Sequence, residues 1–396
     1  MKIDGVIYLD HQATCPLDPT VFAEMVPYFE GRFGNPHSSD HAVGWRASQA
    51  VQRAASEVAR LIGADPDEII FTSGATEANN LALLGLAREG LASKRRRILL
   101  SSIEHKCVLE IGRALSAEYG FSIEHLPVDT QGALDLDALE NSIADDVFLV
   151  SVMGANNEIG TIQDIERISR IVGASGAYFH CDAAQAPSAM DVSRLADHAD
   201  LVSLSSHKMY GPSGIGALFA RRDLQPLMQP RILGGGQQNG LRSGTLPAAL
   251  CVGFGAAARI AASEDGDHRR EQLADIRGSF LKQLQSLPCR IWVNGPLETE
   301  RKHPGNLNVG FEGVSAADLL SRLQPKISAS TGSACTSGIS EPSHVLRAIG
   351  LDDERASSSV RFSLGKDTTL DDVSEATDLI KEAVLDLIGS GLLEVV

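Results

Sequence analysis

The sequence predicts an α/β fold with a mostly parallel sheet, followed by a smaller α+β domain. Three observations carry this. Short β-rich runs at 69–72, 98–101, 147–152, 177–181, 201–204 and 215–220 alternate with helical patterns. Between runs, apolar residues return at helical spacing, as at Val43, Ala47, Ala50, Val51, Ala54, Val58 and Leu61, with Gly63 as a stop. Past about residue 262 the texture changes through a charged stretch at 263–270.

In that second part, Leu273, Ile276, Phe280, Leu281 and Leu284 mark an amphipathic helix that Pro288 closes. Strands are expected at 290–293, 307–311 and 360–364. A last helix begins near Thr369, with Val373, Ala376, Ile380 and Val384 on one face. The pattern Gly253-Phe254-Gly255 has no strand before it, so its glycines read as packing residues of a helix and not as a dinucleotide loop.

Composition excludes several classes. With 35 Lys and Arg against 51 Asp and Glu, the chain carries −16, so non-specific binding to a nucleic-acid backbone is not expected. The basic run 94–97 leads into an apolar segment and reads as a strand entry. The longest apolar run, 248–258, is far short of the roughly 20 residues that span a bilayer, so no membrane association is expected. The start of the chain, 1–8, reads as polar entry and strand, not as a signal peptide. Six cysteines, at 15, 107, 181, 251, 289 and 335, form no CxxC pair. That spacing suits reduced thiols in a cytoplasm and argues against a structural metal site.

Chemistry concentrates in a few stretches. Ser205-Ser206-His207-Lys208 follows a buried strand, which places Lys208 at a strand end, where α/β proteins hold ligands. A lysine near apolar walls loses its charge more readily and condenses with aldehydes; taken alone, Lys208 reads rather as a solvated surface group, as most lysines are. The run 177–181 delivers Asp182, with Gln185 three residues on. A buried carboxylate suits a protonated ring nitrogen, although an isolated Asp here also reads as a helix cap. Phe71-Thr72-Ser73-Gly74-Ala75-Thr76 is a strand, a glycine turn and a helix start, a cradle for one phosphate or a plainly capped helix. Cys335 stands in Ser330-Thr331-Gly332-Ser333-Ala334-Cys335-Thr336-Ser337-Gly338, among small polar residues where a core thiol would have apolar neighbours. It suits a nucleophile, or is an incidental loop thiol.

Taken in order, these stretches resemble the class V pyridoxal-phosphate enzymes, and within them the NifS/IscS-type cysteine desulfurases. Further agreement lies in Tyr8-Leu9-Asp10, Gly34-Asn35-Pro36, Glu104-His105-Lys106, Asn156-Asn157-Glu158-Ile159-Gly160, Gly234-Gly235-Gly236, Arg242-Ser243-Gly244-Thr245 and Arg361-Phe362-Ser363-Leu364-Gly365. The resemblance implies fold type I, with a seven-stranded, mostly parallel sheet in a large domain, 16–262. The small domain, 1–15 with 263–396, would carry the catalytic-cysteine loop. It implies pyridoxal 5′-phosphate held covalently by Lys208, with His105 stacked on its ring, Asp182 on the ring nitrogen and Gln185 on the phenolic oxygen. The phosphate would lie among Ala75, Thr76, Ser205 and His207, with Thr245 reaching in from the second subunit of a homodimer. Arg361, helped by Asn35 and Asn156, would take the substrate carboxylate.

The implied reaction turns L-cysteine into L-alanine and leaves the sulfur on Cys335 as a persulfide for a protein acceptor. A selenocysteine lyase or other, aminotransferase-like class V pyridoxal-phosphate enzyme, and a non-catalytic scaffold of sulfur-transfer machinery, are the alternatives. The intact set Lys208, Asp182, His105 and Cys335 argues against the scaffold. Iron–sulfur assembly, tRNA thiolation and DNA phosphorothioation all draw on such enzymes. Two departures from the family pattern stand out. Gln237-Gln238-Asn239 follows the triple glycine where many relatives carry a Glu-Arg pair, and the end at 389–396 lacks the longer tail of iron–sulfur housekeeping members.

Overall fold

The computed structural model describes residues 1–332 and 343–391. Its strands are β1 (Lys2–Ile3), β2 (Val6–Tyr8), β3 (Ile69–Thr72), β4 (Arg97–Ser101), β5 (Ser122–Leu126), β6 (Val147–Ser151), β7 (Tyr178–Asp182), β8 (Leu201–Ser205), β9 (Gly216–Ala220), β10 (Ile291–Asn294), β11 (Asn306–Phe311), β12 (Ile327–Ser328) and β13 (Ser359–Ser363). Seven of them form one sheet in the order β3-β9-β8-β7-β6-β4-β5. Every pairing is parallel except the two made by β9, which runs against β3 and β8. The sheet is therefore mostly parallel and seven-stranded, and β3, β7 and β8 all end on one edge.

Parallel strands need helical crossovers, and the chain supplies them. α1 (Pro19–Phe29) and α2 (Ala42–Ile62) pack with α6 (Ala248–Ala261) on one face. α3 (Ala75–Gly85) and α4 (Lys106–Tyr119) cover the other, and α5 (Ile165–Ser175) follows β6. α2 stops at Gly63, which takes φ +76° and donates to Ala59, as a left-handed cap requires. Gly253 and Gly255 lie buried in α6, and a Cβ on Gly255 would come within 2.8 Å of the Ala54 backbone, so these are packing glycines. Arg95 and Arg96 of the basic run donate to backbone carbonyls, while Arg97 pairs with Asp146 and Glu124.

A second core holds β10, β11 and β13 against α7 (Glu264–Leu284) and α8 (Leu370–Gly391). Ile7 and Leu9 pack into this core, because β2 runs parallel to β12. The sequence expectation placed the start of α7 near Leu273, but the helix already begins at Glu264. Asp267, His268, Glu271 and Gln272 are exposed, so this part shows no apolar period; Leu273 is where packing into the second core starts.

The Gln237-Gln238-Asn239 departure has a definite structural use. β3 is an edge strand, and the Gln238 side chain pairs with it as a neighbouring strand would. Its Oε1 accepts from the Phe71 N–H at 2.7 Å, and its Nε2 donates to the Phe71 carbonyl at 2.9 Å. Gln237 Oε1 accepts from the Gly244 N–H at 2.8 Å. Among the described residues no helix is long and apolar enough to cross a membrane.

Buried histidines give the fold an acid limit. Burial drags His180 and His11 down to about 4 and His303 to about 3, whereas an unfolded histidine takes its proton near pH 6.5. Between these values the unfolded chain binds more protons. Stability is therefore full above about pH 6.5 and is lost progressively as pH falls toward 4. Thermal melting from pH 7.5 to 4.5 should show a midpoint that drops steadily below pH 6.5; a flat profile over that window would contradict the neutral, buried histidines.

Candidate active site

A cleft of about 480 Å³ opens at the edge where β3, β7 and β8 end, within the usual range for small-molecule sites. Each wall follows from a local rule. After β3 the chain turns through Ser73 and Gly74 into α3, whose first N–H groups, on Ala75 and Thr76, have no intrahelical acceptor. Gly74 is the N-cap and carries no capping side chain, so the positive end of the helix is left open. Ser73 N–H donates to Glu77 at 2.7 Å, and Glu77 pairs with Arg242 at 2.8 Å. β9 passes directly behind this turn. A Cβ on Gly216 would come within 2.7 Å of the Gly74 backbone, so only glycine fits there.

Facing the turn are Ser205, at the end of β8, and His207, whose Nδ1 lies 3.0 Å from Thr14 Oγ1. Burial and the neighbouring Lys208 charge pull His207 down to about 4. Lys208 donates to the carbonyls of Gln12 and, at 2.7 Å, Ala13. The amine is thus held by the N-terminal segment while lining the cleft.

Asp182 ends β7 and is 3% exposed. Its Oδ1 accepts from the Ala184 N–H at 3.0 Å and its Oδ2 from Asn79 Nδ2 at 2.8 Å. Glu104 is wholly buried, and burial together with the Asp182 charge raises its carboxyl well above the usual range. His105 is the N-cap of α4: its Nδ1 accepts from the Cys107 N–H at 3.2 Å and lies 3.0 Å from Cys107 Sγ. Gln185 also lines the cleft and donates to the Gln12 carbonyl at 2.9 Å.

Arg361 reaches the cleft from β13 and is 3% exposed. Its guanidinium donates to the Asn157 carbonyl at 2.8 Å and to Asp10 at 2.6 Å; Nε has no partner among the described residues. An unsatisfied buried donor on a cleft wall is a costly arrangement that an incoming anion relieves.

Nine of the expected site residues thus share one cleft: Ala75, Thr76, His105, Asp182, Gln185, Ser205, His207, Lys208 and Arg361, with Gly332, three residues before Cys335, on the same wall. Cys335 itself lies outside the described residues. Three others stand elsewhere. Asn156 is completely buried beneath a turn, its Oδ1 accepting from the Glu158 and Ile159 N–H groups; Asn157 lines the cleft instead. Asn35 is exposed and accepts from the His37 N–H. Thr245 is exposed and away from the cleft of its own chain. The sequence reading left Gln12 and Asn79 out of the site, and both line the same space, as does Cys107. Asn79 was the one with a signal, since it lies one helical turn beyond Thr76 in α3.

Comparison with known proteins agrees with this geometry. The profile described as Aminotransferase class-V matches residues 7–375. The chain belongs to the class V aminotransferase family. Within it, a Rickettsia felis protein named Cysteine desulfurase IscS is 46% identical over 376 residues, 94% of this chain and 90% of the relative. A solved structure titled NIFS-LIKE PROTEIN superposes with a TM-score of 0.87 at 35% identity, covering 95% of this chain and 98% of that one. Another, titled SspA in complex with cysteine, gives 0.78 at 35% identity, covering 90% and 98%.

Class V enzymes are in general pyridoxal-phosphate enzymes, and the residues present fit that group. The open helix end at Gly74 matches a phosphate, Asp182 a ring nitrogen, and the Lys208 amine an aldehyde. Gly216→Ala should push β9 against the cradle. We expect a loss of about 1–3 kcal/mol in stability and a clear fall in retained cofactor, read by denaturant melts and by absorbance after dialysis. Unchanged retention would show that the turn at Gly74 does not hold the phosphate.

Proposed function

We propose that this chain is a pyridoxal-phosphate-dependent cysteine desulfurase, taking L-cysteine to L-alanine and passing the sulfur through a persulfide on Cys335 to a protein acceptor. The observation that carries this reading is that Gly332, three residues before Cys335, shares the cleft wall with Lys208, Asp182 and Arg361. A transaminase-like pocket needs the last three; the approach of a thiol-bearing segment is what desulfuration adds.

The bound cofactor supplies an electron sink next to the substrate's α-carbon. Arg361 orients the substrate by its carboxylate, using the Nε that has no partner among the described residues and the forked geometry of guanidinium. Lys208 holds the cofactor and then moves the α-proton. Asp182 keeps the ring nitrogen protonated, and Asn79 fixes the orientation of that carboxylate. Cys335 forms a bond to the substrate sulfur as the carbon–sulfur bond breaks; the electron pair stays with the carbon skeleton, which leaves as alanine after protonation.

The other cysteines are poor candidates for that attack. Burial raises Cys15, Cys107 and Cys251 to about 12, pushes Cys181 still further, and raises half-buried Cys289. Cys107 lines the cleft, but burial and the Asp182 charge keep its thiol protonated.

The proposed working form is a cytoplasmic homodimer, with Thr245 supplied to the phosphate from the second copy. Exposed Phe22, Phe29, Phe33 and Trp45, together with Leu233 near the Thr245 segment, give that contact an apolar surface. The division into a large domain, 16–262, and a small one, 1–15 with 263–396, is supported by the packing of Ile7 and Leu9 in the second core.

Cys335→Ser should keep the yellow cofactor and the spectral change on adding L-cysteine, while losing alanine production and the mass of a bound persulfide. Serine or alanine at Cys107 should leave turnover largely intact. Persulfide accumulation at the normal rate in Cys335→Ser would overturn the assignment of the nucleophile.

A further inference from the structure

Glu158 lies in the loop after β6 and is 4% exposed. Asn156 builds the turn that presents it, accepting from the Glu158 and Ile159 N–H groups at 2.8 and 2.9 Å and donating to the Ile103 carbonyl. From the other side, Asn306 and Asn308 of β11 both donate to the Glu158 carbonyl, at 3.0 and 3.1 Å. The backbone of this residue is therefore fixed from both flanks.

Its side chain meets the two residues that bound the stretch 333–342. Ser343 Oγ donates to Glu158 Oε2 at 2.5 Å, and Ser343 also accepts from the Val345 and Leu346 N–H groups at the start of the short helix His344–Ala348. A hydroxyl on a buried carboxylate is among the stronger hydrogen bonds a protein makes. Gly332, at φ +85°, backs onto the same group: a Cβ there would sit 3.2 Å from Oε2 and 3.3 Å from Cγ. One buried carboxyl group thus touches both flanks of the stretch that carries Cys335.

We propose that Glu158 is a positioning residue for the sulfur-accepting step. It holds Ser343 through a hydrogen bond and packs behind Gly332, so that both of the described residues flanking the stretch with Cys335 stand at fixed points, one of them on the cleft wall. Fixed flanks favour delivery of the Cys335 thiol to the substrate sulfur, an effect of proximity on rate. Asn156 serves this arrangement by shaping the turn under Glu158. The inference rests on the desulfurase reading.

The test uses the holoenzyme with Glu158→Ala, Glu158→Gln, Ser343→Ala and the double alanine variant. Glu158→Ala should slow alanine formation by about 10- to 100-fold. Cofactor content and the L-cysteine concentration giving half the spectral change should stay within about twofold of wild type, because neither depends on Cys335. Glu158→Gln should recover most of the rate, since its amide oxygen still accepts from Ser343. The double variant should lose no more than Glu158→Ala alone, as expected for two groups acting through one contact. A wild-type rate in Glu158→Ala, a glutamine variant as slow as alanine, additive losses, or a parallel loss of cofactor and substrate binding would each overturn the proposal. Should Glu158→Ala not fold, Ser343→Ala decides alone: a slowed rate with intact spectra supports it, and a wild-type rate overturns it. Wild-type protein that forms no alanine from cysteine would instead sink the desulfurase reading, before any variant is made.

Discussion

A guanidinium that is almost wholly buried has to be answered by partners close at hand, and for Arg361 these come from far along the chain. Asp10 follows the N-terminal strand, Asn157 lies in the loop after β6, and Arg361 itself stands in β13. Removing either partner would leave a charge in a medium that cannot solvate it, which costs far more than the pair contributes when intact. The requirement therefore joins the N-terminus, the large sheet and the second sheet at one point. Backbone pairing repeats the same junction: Ser363 bridges Asp10, and Ser330 bridges Arg361 through two hydrogen bonds. The cleft lies where these pieces meet, so its shape is a by-product of satisfying one buried charge.

Much of this was legible from sequence because the strong signals are local. Strands of a sheet covered on both faces must be apolar on both sides, so β3, β4, β6, β7, β8 and β9 stand out as short apolar runs, correct to a residue or so at each end. β5 was missed because it is the far edge strand; Glu124 and His125 keep partial contact with water there, and the alternation is too short to read. The cleft residues at strand ends and at the glycine turn followed from where the sheet must stop.

What escaped the sequence was long-range. Nothing near Asn156 tells whether its amide faces a ligand or folds beneath its own turn, and the buried hydrogen bonds show the latter. Gln12 and Asp10 sit in a stretch that looks like a strand exit, and their value appears only when β2 is packed beside β12 and near Lys208. Gln237 and Gln238 looked like a departure in a loop. Their amides turn out to be used as backbone substitutes.

That last feature bears on how the protein behaves in crowded solution. An edge strand with open N–H and C=O groups is a template on which a foreign strand grows. Gln238 occupies both groups of Phe71 with a side chain that has no further backbone to extend. Strand addition at β3 is thereby terminated after a single residue, and a flat apolar run that would otherwise seed aggregation is sealed by one amide.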